Sequence, residues 1–206
     1  MNSINSLIQR VQKTQSGFTD IQKAAEEIFT NHNESETLAL AKELFVSDIH
    51  QARMLATFLL GKLAAKSNQS LGFLRKSVSR DKDWRVQEIL ARAFDQYCKD
   101  TGYEKALPKI KDWLQDANPN VRRAVTEGLR IWTTRDYFRE HPEVAIQLLS
   151  QLRADESEYV RKSVGNALRD ISRKHKELIA EETRKWDISD KRVQQTYQLA
   201  RKFLEG

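Results

Sequence analysis

Trp84 and Glu88 are the two residues of this sequence whose types and spacing best suit chemistry on a cation. They lie four residues apart on a predicted helix, so both side chains can point into one cavity. The face of a tryptophan ring attracts a cation by roughly 0.5–2 kcal/mol, and a carboxylate adds the opposite charge. The pair predicts a site for a cationic ligand. The alternative is that Trp84, at a helix entry, is a packing residue.

A second set of residues suits an anionic partner. Between positions 122 and 176 the chain carries nine arginines and three lysines, and arginine is the better side chain for forked contacts with phosphate. With a net charge of +6, the composition permits nucleic acid or an anionic membrane surface as partner. The alternative is a solvated face with internal Glu–Arg pairs. The candidate contacts are Arg122, Arg123, Arg130, Arg161, Lys162, Asn166, Arg169 and Arg173.

A motif that occurs five times, at spacings of 33 to 39 residues, would bring these side chains together. Each copy consists of a polar turn, a small apolar residue and then Arg or Gln. Such a period is typical of stacked helix pairs, which form a solenoid. Equivalent positions of successive repeats then line one wall, so we predict an all-α, curved α-solenoid with a basic concave face. The apolar residues are Ala52, Val86, Val121, Val160 and Val193.

Composition agrees with a helical chain. With 206 residues, 7 Gly and 3 Pro, we expect a single domain over 1–206, in which residues 1–30 form an N-terminal helical cap because they do not fit the repeat. No apolar run is long enough to cross a membrane, and no signal peptide is evident. The single cysteine, Cys98, favours a reducing cytosol, so we predict a cytoplasmic protein. The four histidines are isolated surface residues in this interpretation, and we expect no metal and no cofactor.

Periodicity and capping residues predict the helices. They cover 21–29, 36–45, 48–63, 71–78, 84–98, 103–114, 142–152, 158–174, 176–186 and 190–204, with a further start at 119. Ser35 is the expected cap of the second. Residues 133–140 are expected to be irregular. Four residues after the apolar residue of each motif we expect a further buried residue: Ala56, Leu90, Val125, Val164 and Tyr197. We also expect three tryptophans in the core: Trp113, Trp132 and Trp186.

Two segments carry a resemblance to a known family. VRRAVTEG at 121–128 and EYVRKSVGNALRD at 158–170 resemble the HEAT-like repeat DNA alkylation repair glycosylases of the AlkD and AlkC type, and residues 45–56 resemble that family's early repeat. The similarity covers roughly residues 20 to 206. It implies a solenoid of HEAT-like repeats and an enzyme, a hydrolase that cleaves the N-glycosidic bond of N3- or N7-alkylated purines in duplex DNA. It also implies that no deep base-holding pocket is needed, and we find no sequence for one.

The resemblance assigns roles to residues. In the AlkD branch a cleft Trp is followed four residues later by an acidic residue, which implies that Trp84 and Glu88 are catalytic, with Glu in place of the usual Asp. A cleft Arg one repeat later matches Arg123. Where that branch has a second Trp this chain has Asn166, as in the AlkC branch, while the following Arg is kept as Arg169. The implied partner is double-stranded DNA that is alkylated or distorted. We expect no membrane partner, and we expect the protein to be a monomer.

Two other functions are open at this point. One is a non-catalytic DNA-binding HEAT-repeat protein that recognises bent, branched or damaged DNA. The other is a protein-binding helical scaffold, a common role of solenoids.

Overall fold

The computed structural model describes residues 4–204, and every regular element in that range is a helix, as predicted. The first six are α1 (Ile4–Gln12), α2 (Thr19–Asn31), α3 (Glu34–Phe45), α4 (His50–Leu63), α5 (Asn68–Lys76) and α6 (Trp84–Thr101). The next seven are α7 (Tyr103–Leu114), α8 (Pro119–Gly128), α9 (Asp136–Glu140), α10 (Pro142–Ser150), α11 (Glu158–Ser172), α12 (Lys176–Arg184) and α13 (Lys191–Ala200). None of the helices within residues 4–204 combines the length and apolar character that a membrane crossing needs.

The chain divides into two compact units, one ending at Asp100 and the other beginning at Thr101. In the first unit α4 is the central helix, and its Leu55, Leu59 and Leu60 are fully buried. Helices α1, α2, α3 and α5 all contact it. A single domain over residues 1–206 stays a prediction.

Helices α1 and α2 occupy the segment predicted as an N-terminal helical cap, apart from residues 1–3, which lie outside the described range. Leu7 of α1 and Ile21 of α2 are buried, and both helices contact α4. The loop that joins them turns at Gly17, whose φ of 74° lies in the left-handed region that favours glycine. This loop also forms one wall of the candidate site.

In the second unit α8, α11 and α13 stack in order and carry the third, fourth and fifth copies of the motif. Helices α11 and α13 approach closely at Gly165, where an added Cβ would lie 2.6 Å from the Cβ of Leu199. A larger residue at this position would therefore separate the two helices.

The burial predicted from the motif is largely confirmed. All five apolar motif residues are at most 5% exposed, and the three tryptophans predicted for the core are buried. Of the residues four positions later, four are buried, but the prediction is wrong for Tyr197, which is half-buried. Tyr197 lies on α13, the last helix of the described chain, so no further repeat in that range packs over it.

Some helix boundaries differ from those expected. The cap of α3 is Asn33 rather than Ser35, because Asn33 and Glu36 form reciprocal side-chain to backbone hydrogen bonds, each of 2.9 Å. Helix α5 begins at Asn68, three residues early. The irregular connection expected over 133–140 is wrong. It contains a short 3₁₀ turn and α9, whose Phe138 is fully buried with its ring centroid 4.9 Å from that of Trp132.

Candidate active site and basic face

Helix α6 begins at Trp84 because Asp83 caps it. The Asp83 carboxylate accepts a hydrogen bond of 2.9 Å from the backbone N–H of Arg85. The Arg85 guanidinium also donates two bonds to Asp83, of 2.9 and 2.7 Å. These side-chain bonds lower the pKa of Asp83 to about 2, against the opposing effect of burial. The start of the helix is therefore fixed by a charged pair.

The Trp84 side chain is directed to solvent. Its residue is 66% exposed, so the alternative that Trp84 is a packing residue is wrong. The guanidinium carbon of Arg85 lies 5.7 Å from the centre of the ring. An exposed indole at a helix entry is available to a ligand, and the ring already has a cation beside it.

Trp84 and Glu88 line one pocket of about 420 Å³. Its wall comes from three segments of the first unit: the loop 14–18, the first turns of α4 and the first turns of α6. The loop before α2 thus lines a pocket together with the first turns of α4 and α6. The absence of a deep base-holding pocket stays a prediction.

His50 lines the same pocket, although the sequence placed it among isolated surface histidines. Burial lowers the pKa of His50, and the nearby positive charge of Arg85 lowers it further. The neutral imidazole is therefore favoured. A signal was present in the sequence, since His50 stands two residues before the apolar residue of its motif and Trp84 has the same position in the next copy.

Arg122 joins two repeats through an arrangement that we call a clamp: an arginine that bonds both its own turn and a side chain of the next repeat. Its guanidinium donates two bonds of 2.7 Å to Asp155 and further bonds of 2.6 and 3.1 Å to the carbonyl oxygens of Asp116 and Ala117. The side chains of Arg122 and Asp155 are 13% and 5% exposed. The sequence predicts that Arg122 contacts DNA. Its N–H groups are instead used within the protein, and we remove it from the proposed DNA-contacting set.

Arg161 has the same arrangement one repeat later. It donates 2.8 Å to the side-chain oxygen of Gln195 and 2.6 and 3.0 Å to the carbonyl oxygens of Asp155 and Glu156. In the first unit Arg53 likewise pairs with Asp81 at 2.6 Å. The Arg of the motif thus ties a turn to the next repeat, so Arg161 is also removed from the DNA-contacting set.

The residue after the clamp faces outward. Arg123 is half-exposed, and its guanidinium carbon lies 5.1 Å from the ring centre of Tyr159, which is 66% exposed. An arginine beside an exposed aromatic ring is a suitable contact for a nucleotide, because the guanidinium can bind phosphate while the ring stacks.

The other predicted contacts lie on α8 and α11 or directly after them. Lys162, Asn166 and Arg169 follow one face of α11, at spacings of four and three residues, and Arg173 caps its C-terminal end. Lys162 is exposed and pairs with Glu158 at 2.7 Å. Arg173 is exposed and lies 4.4 Å from the ring centre of Phe203. Asn166 is half-buried, in the middle of this face.

Asp170 holds two of the predicted arginines. It accepts hydrogen bonds of 3.0 Å from Arg130, which lies just after α8, and of 3.2 Å from Arg169 of α11, and its side chain is 10% exposed. Both arginines keep part of their surface in solvent. The outward residues of α8 and α11 and of the positions directly after them form one surface, which we call the basic face: Arg123, Arg130, Lys162, Asn166, Arg169 and Arg173.

Potential metal ligands do not cluster. Within residues 4–204 no group of three His, Cys, Asp or Glu side chains is placed to hold a metal ion, and Cys98 is buried.

Comparison with known proteins assigns the chain to a family. Residues 17–195 match the model of a family described as DNA alkylation repair enzyme. The chain belongs to this family. The resemblance predicted from residues 121–128 and 158–170 is thus confirmed, and it extends over most of the sequence.

Two solved structures of this fold span nearly the whole chain. The X-ray crystal structure of AlkD2 from Streptococcus mutans is 45% identical, with a TM-score of 0.95, and the match covers 99% of this chain and 100% of AlkD2. The crystal structure of smu.31 from Streptococcus mutans UA159 is 46% identical, with a TM-score of 0.92, and the match covers 98% and 99%. The predicted helical-repeat fold is therefore confirmed.

Two further proteins are similar to this chain, one in fold and the other over part of its sequence. Pseudomonas fluorescens alkylpurine DNA glycosylase AlkC, bound to DNA containing an abasic site analog, is 20% identical with a TM-score of 0.54, and the match covers 100% of this chain and 65% of AlkC. The uncharacterized protein YhaZ of Bacillus subtilis (strain 168) is 36% identical over 87 residues, which are 40% of this chain. The match spans 24% of the length of YhaZ.

Proposed function

We propose that this protein is a DNA glycosylase that hydrolyses the N-glycosidic bond of N3- or N7-alkylated purines in duplex DNA. The observation that carries the proposal is the shared pocket of Trp84 and Glu88, in a chain that belongs to the DNA alkylation repair enzyme family. An exposed indole and a carboxylate in one pocket suit a substrate that is positively charged. Purines alkylated at N3 or N7 have that charge.

The chemistry follows from the charge of the substrate. An alkylated purine cation leaves as a neutral base when the bond from C1′ to the purine nitrogen breaks and its electron pair passes to the base. Positive charge then develops on the sugar, and the Glu88 carboxylate stabilises it. A water oxygen bonds to C1′, and Glu88 accepts the proton that the water loses before passing it to solvent. No cofactor is needed, because the base is already a good leaving group.

Trp84 would contact the deoxyribose or the cationic base. Its ring is exposed and one helical turn from Glu88, so a base held against the indole brings its sugar close to the carboxylate. His50, in the same pocket, adds a neutral polar group that does not repel the cation.

The basic face would bind the DNA backbone. Arg123 and Arg169 would contact phosphates and set the register of the duplex, while Arg130, Lys162 and Arg173 add positive charge. Asn166 leaves this surface without a second tryptophan, so we expect tolerance of larger adducts than a closed aromatic cleft would allow. We further propose that the protein acts as a cytoplasmic monomer.

Base release tests this function. Duplex DNA treated with a methylating agent is incubated with the protein, and free 3-methyladenine and 7-methylguanine are quantified against an untreated duplex. We expect both bases from treated DNA and none from the control. Trp84→Ala should slow release by about 10-fold, since a cation–π contact of roughly 1–2 kcal/mol is lost.

Two other results have a defined meaning. Tight, salt-sensitive binding of the duplex without release would overturn the enzyme and favour a non-catalytic DNA-binding protein. Absence of both binding and release would favour a protein-binding scaffold.

A further inference from the structure

Arg92 lies at the pocket and has no role in the chemistry described above. It stands four residues after Glu88 and eight after Trp84 on α6, so the three side chains follow one face of the helix. All three line the same pocket. Arg92 is exposed, and no carboxylate of residues 4–204 lies within ion-pair distance of it.

The Arg92 guanidinium is nevertheless held in place. Its central carbon lies 4.0 Å from the ring centre of Phe18, the shortest cation–ring distance in the described chain. A guanidinium that packs against an aromatic ring can still make forked contacts with an anion through its N–H groups. The contact with Phe18 thus restrains Arg92 beside the pocket before any ligand arrives.

Phe18 and the loop before it are both held against α4. Its ring centre lies 6.1 Å from that of Phe58 in α4, and Phe58 is buried. The loop before it is tied to α4 by a bond of 3.1 Å from the Gln51 side-chain amide to the carbonyl oxygen of Thr14. The loop 14–18 therefore acts as a support for Arg92.

The charge of Arg92 decides what it can bind. A cation in the pocket repels the alkylated purine, which is also positive, and attracts the phosphates on either side of that nucleotide. Along α6, Arg92 lies about 6 Å from Glu88, at 1.5 Å per residue. A phosphate next to the sugar that faces Glu88 would lie at a similar distance.

We infer that Arg92, held against Phe18, binds a backbone phosphate flanking the nucleotide that enters the Trp84–Glu88 pocket. The inference rests on the proposed function. Arg92 is then a substrate-binding residue, and Phe18 is a positioning residue.

Salt-dependent binding of an unmethylated duplex tests this assignment without requiring base release. The dissociation constant is measured at several NaCl concentrations for wild type, Arg92→Ala and Lys76→Ala. Lys76 is an exposed control on α5, a helix that does not line the pocket. We expect Arg92→Ala to weaken binding about 10-fold near 0.1 M NaCl and to reduce the log–log salt slope by about 0.9, the value for one phosphate contact. Lys76→Ala should leave both unchanged.

Two further variants separate charge from orientation. Arg92→Lys keeps the charge and should retain the slope, but it should bind about 3-fold more weakly because an ammonium group cannot stack or fork in the same way. Phe18→Leu should weaken binding about as much as Arg92→Lys does. Its melting temperature should stay close to that of the wild type.

The outcomes are distinct. An unchanged slope in Arg92→Ala, or an equal loss in Lys76→Ala, would overturn the assignment. A reduced slope in a protein that releases no alkylated base would support Arg92 as a DNA contact and reject the glycosylase. Failure of the wild type to bind duplex would reject both.

Discussion

The pocket of the first unit and the arginine clamps of the second use similar residues in opposite settings. In the pocket, Trp84 is 66% exposed and Arg92 lies in solvent against Phe18. In the clamp, Arg122 and Asp155 are 13% and 5% exposed and their hydrogen-bonding groups face each other. Partners and exposure, rather than residue type, therefore separate a group that can bind a ligand from one that holds the fold.

The difference arises from position within the motif. The residue directly after the buried apolar one points back to its own turn and to the next repeat, as in Arg53, Arg122 and Arg161. The residue two places after the apolar one is partly exposed in the second and third copies, Glu88 and Arg123, whereas Met54 of the first copy is buried. One helix thus supplies a structural and a functional charge in adjacent positions.

The largest effect on stability should come from breaking the clamp. Arg122→Ala removes the cation from the buried Asp155 carboxylate and leaves it only the 2.8 Å hydrogen bond from the backbone N–H of Ser157, which costs about 3–5 kcal/mol. We expect the melting temperature to fall by roughly 10 °C. The neighbouring Arg123→Ala should cost about 1 kcal/mol or less and mainly weaken DNA binding. Equal losses of melting temperature in the two variants would contradict the division between clamp and basic face.

A smaller effect should follow from adding a methyl group where α4 and α6 are in contact. An added Cβ at Gly61 of α4 would lie 2.7 Å from the Cβ and 2.8 Å from the Cα of Ala93 in α6. Gly61→Ala should therefore destabilise by about 2 kcal/mol in urea unfolding.

Gly72→Ala is the matched control for that variant. No atom lies within 4 Å of its added Cβ, so it should stabilise α5 by roughly 0.5–1 kcal/mol. A stabilising effect of Gly61→Ala would show that α6 is not held as closely against α4 as the structure indicates.

The smallest effect concerns the charged pair at the start of α6. Asn can still cap a helix, so Asp83→Asn removes mainly the ion pair with Arg85 and should cost about 1 kcal/mol near neutral pH, allowing for solvent screening. The pKa of Asp83 is about 2 in the folded protein and about 4 when unfolded, so this stabilisation is present above pH 4 and lost as pH falls towards 2. Unfolding of both proteins from pH 7 to 2 should show the difference shrinking below pH 4. A difference that grows at low pH would contradict this cause.

Much of the fold could be predicted because the motif occurs five times, with a buried apolar residue at the same position of each copy. Buried residues recur at the same motif position, and caps such as Asn118 and Asp190 mark helix starts with bonds of 2.9 and 2.7 Å. The helix that contains Phe138 could not be predicted in this way. Its segment lacks the periodicity of the repeats, and the helix is stabilised by packing of the Phe138 ring on Trp132, a tertiary contact that local sequence does not encode.

The site could be predicted only where it lies on one helix. The four-residue spacing of Trp84 and Glu88 predicted a shared cavity, and the two residues do line one pocket. The Phe18–Arg92 contact joins residues far apart in the sequence, so no spacing could indicate it. The sequence predicts Arg122 and Arg161 as DNA contacts, whereas in the structure their guanidinium groups bond within the protein. A signal existed, since an Arg or Gln at the same position of every repeat indicates a structural task shared by all of them.

The most direct test of the account is single-turnover release of 7-methylguanine from methylated duplex by Glu88→Gln, with enzyme in excess and with melting temperature and duplex affinity measured on the same preparation. The change keeps the shape of the side chain and removes its charge. We predict that the release rate falls by about 100-fold or more, while the melting temperature and affinity stay close to wild type. Release at the wild-type rate from folded, DNA-bound Glu88→Gln would contradict the claim that this carboxylate performs the chemistry.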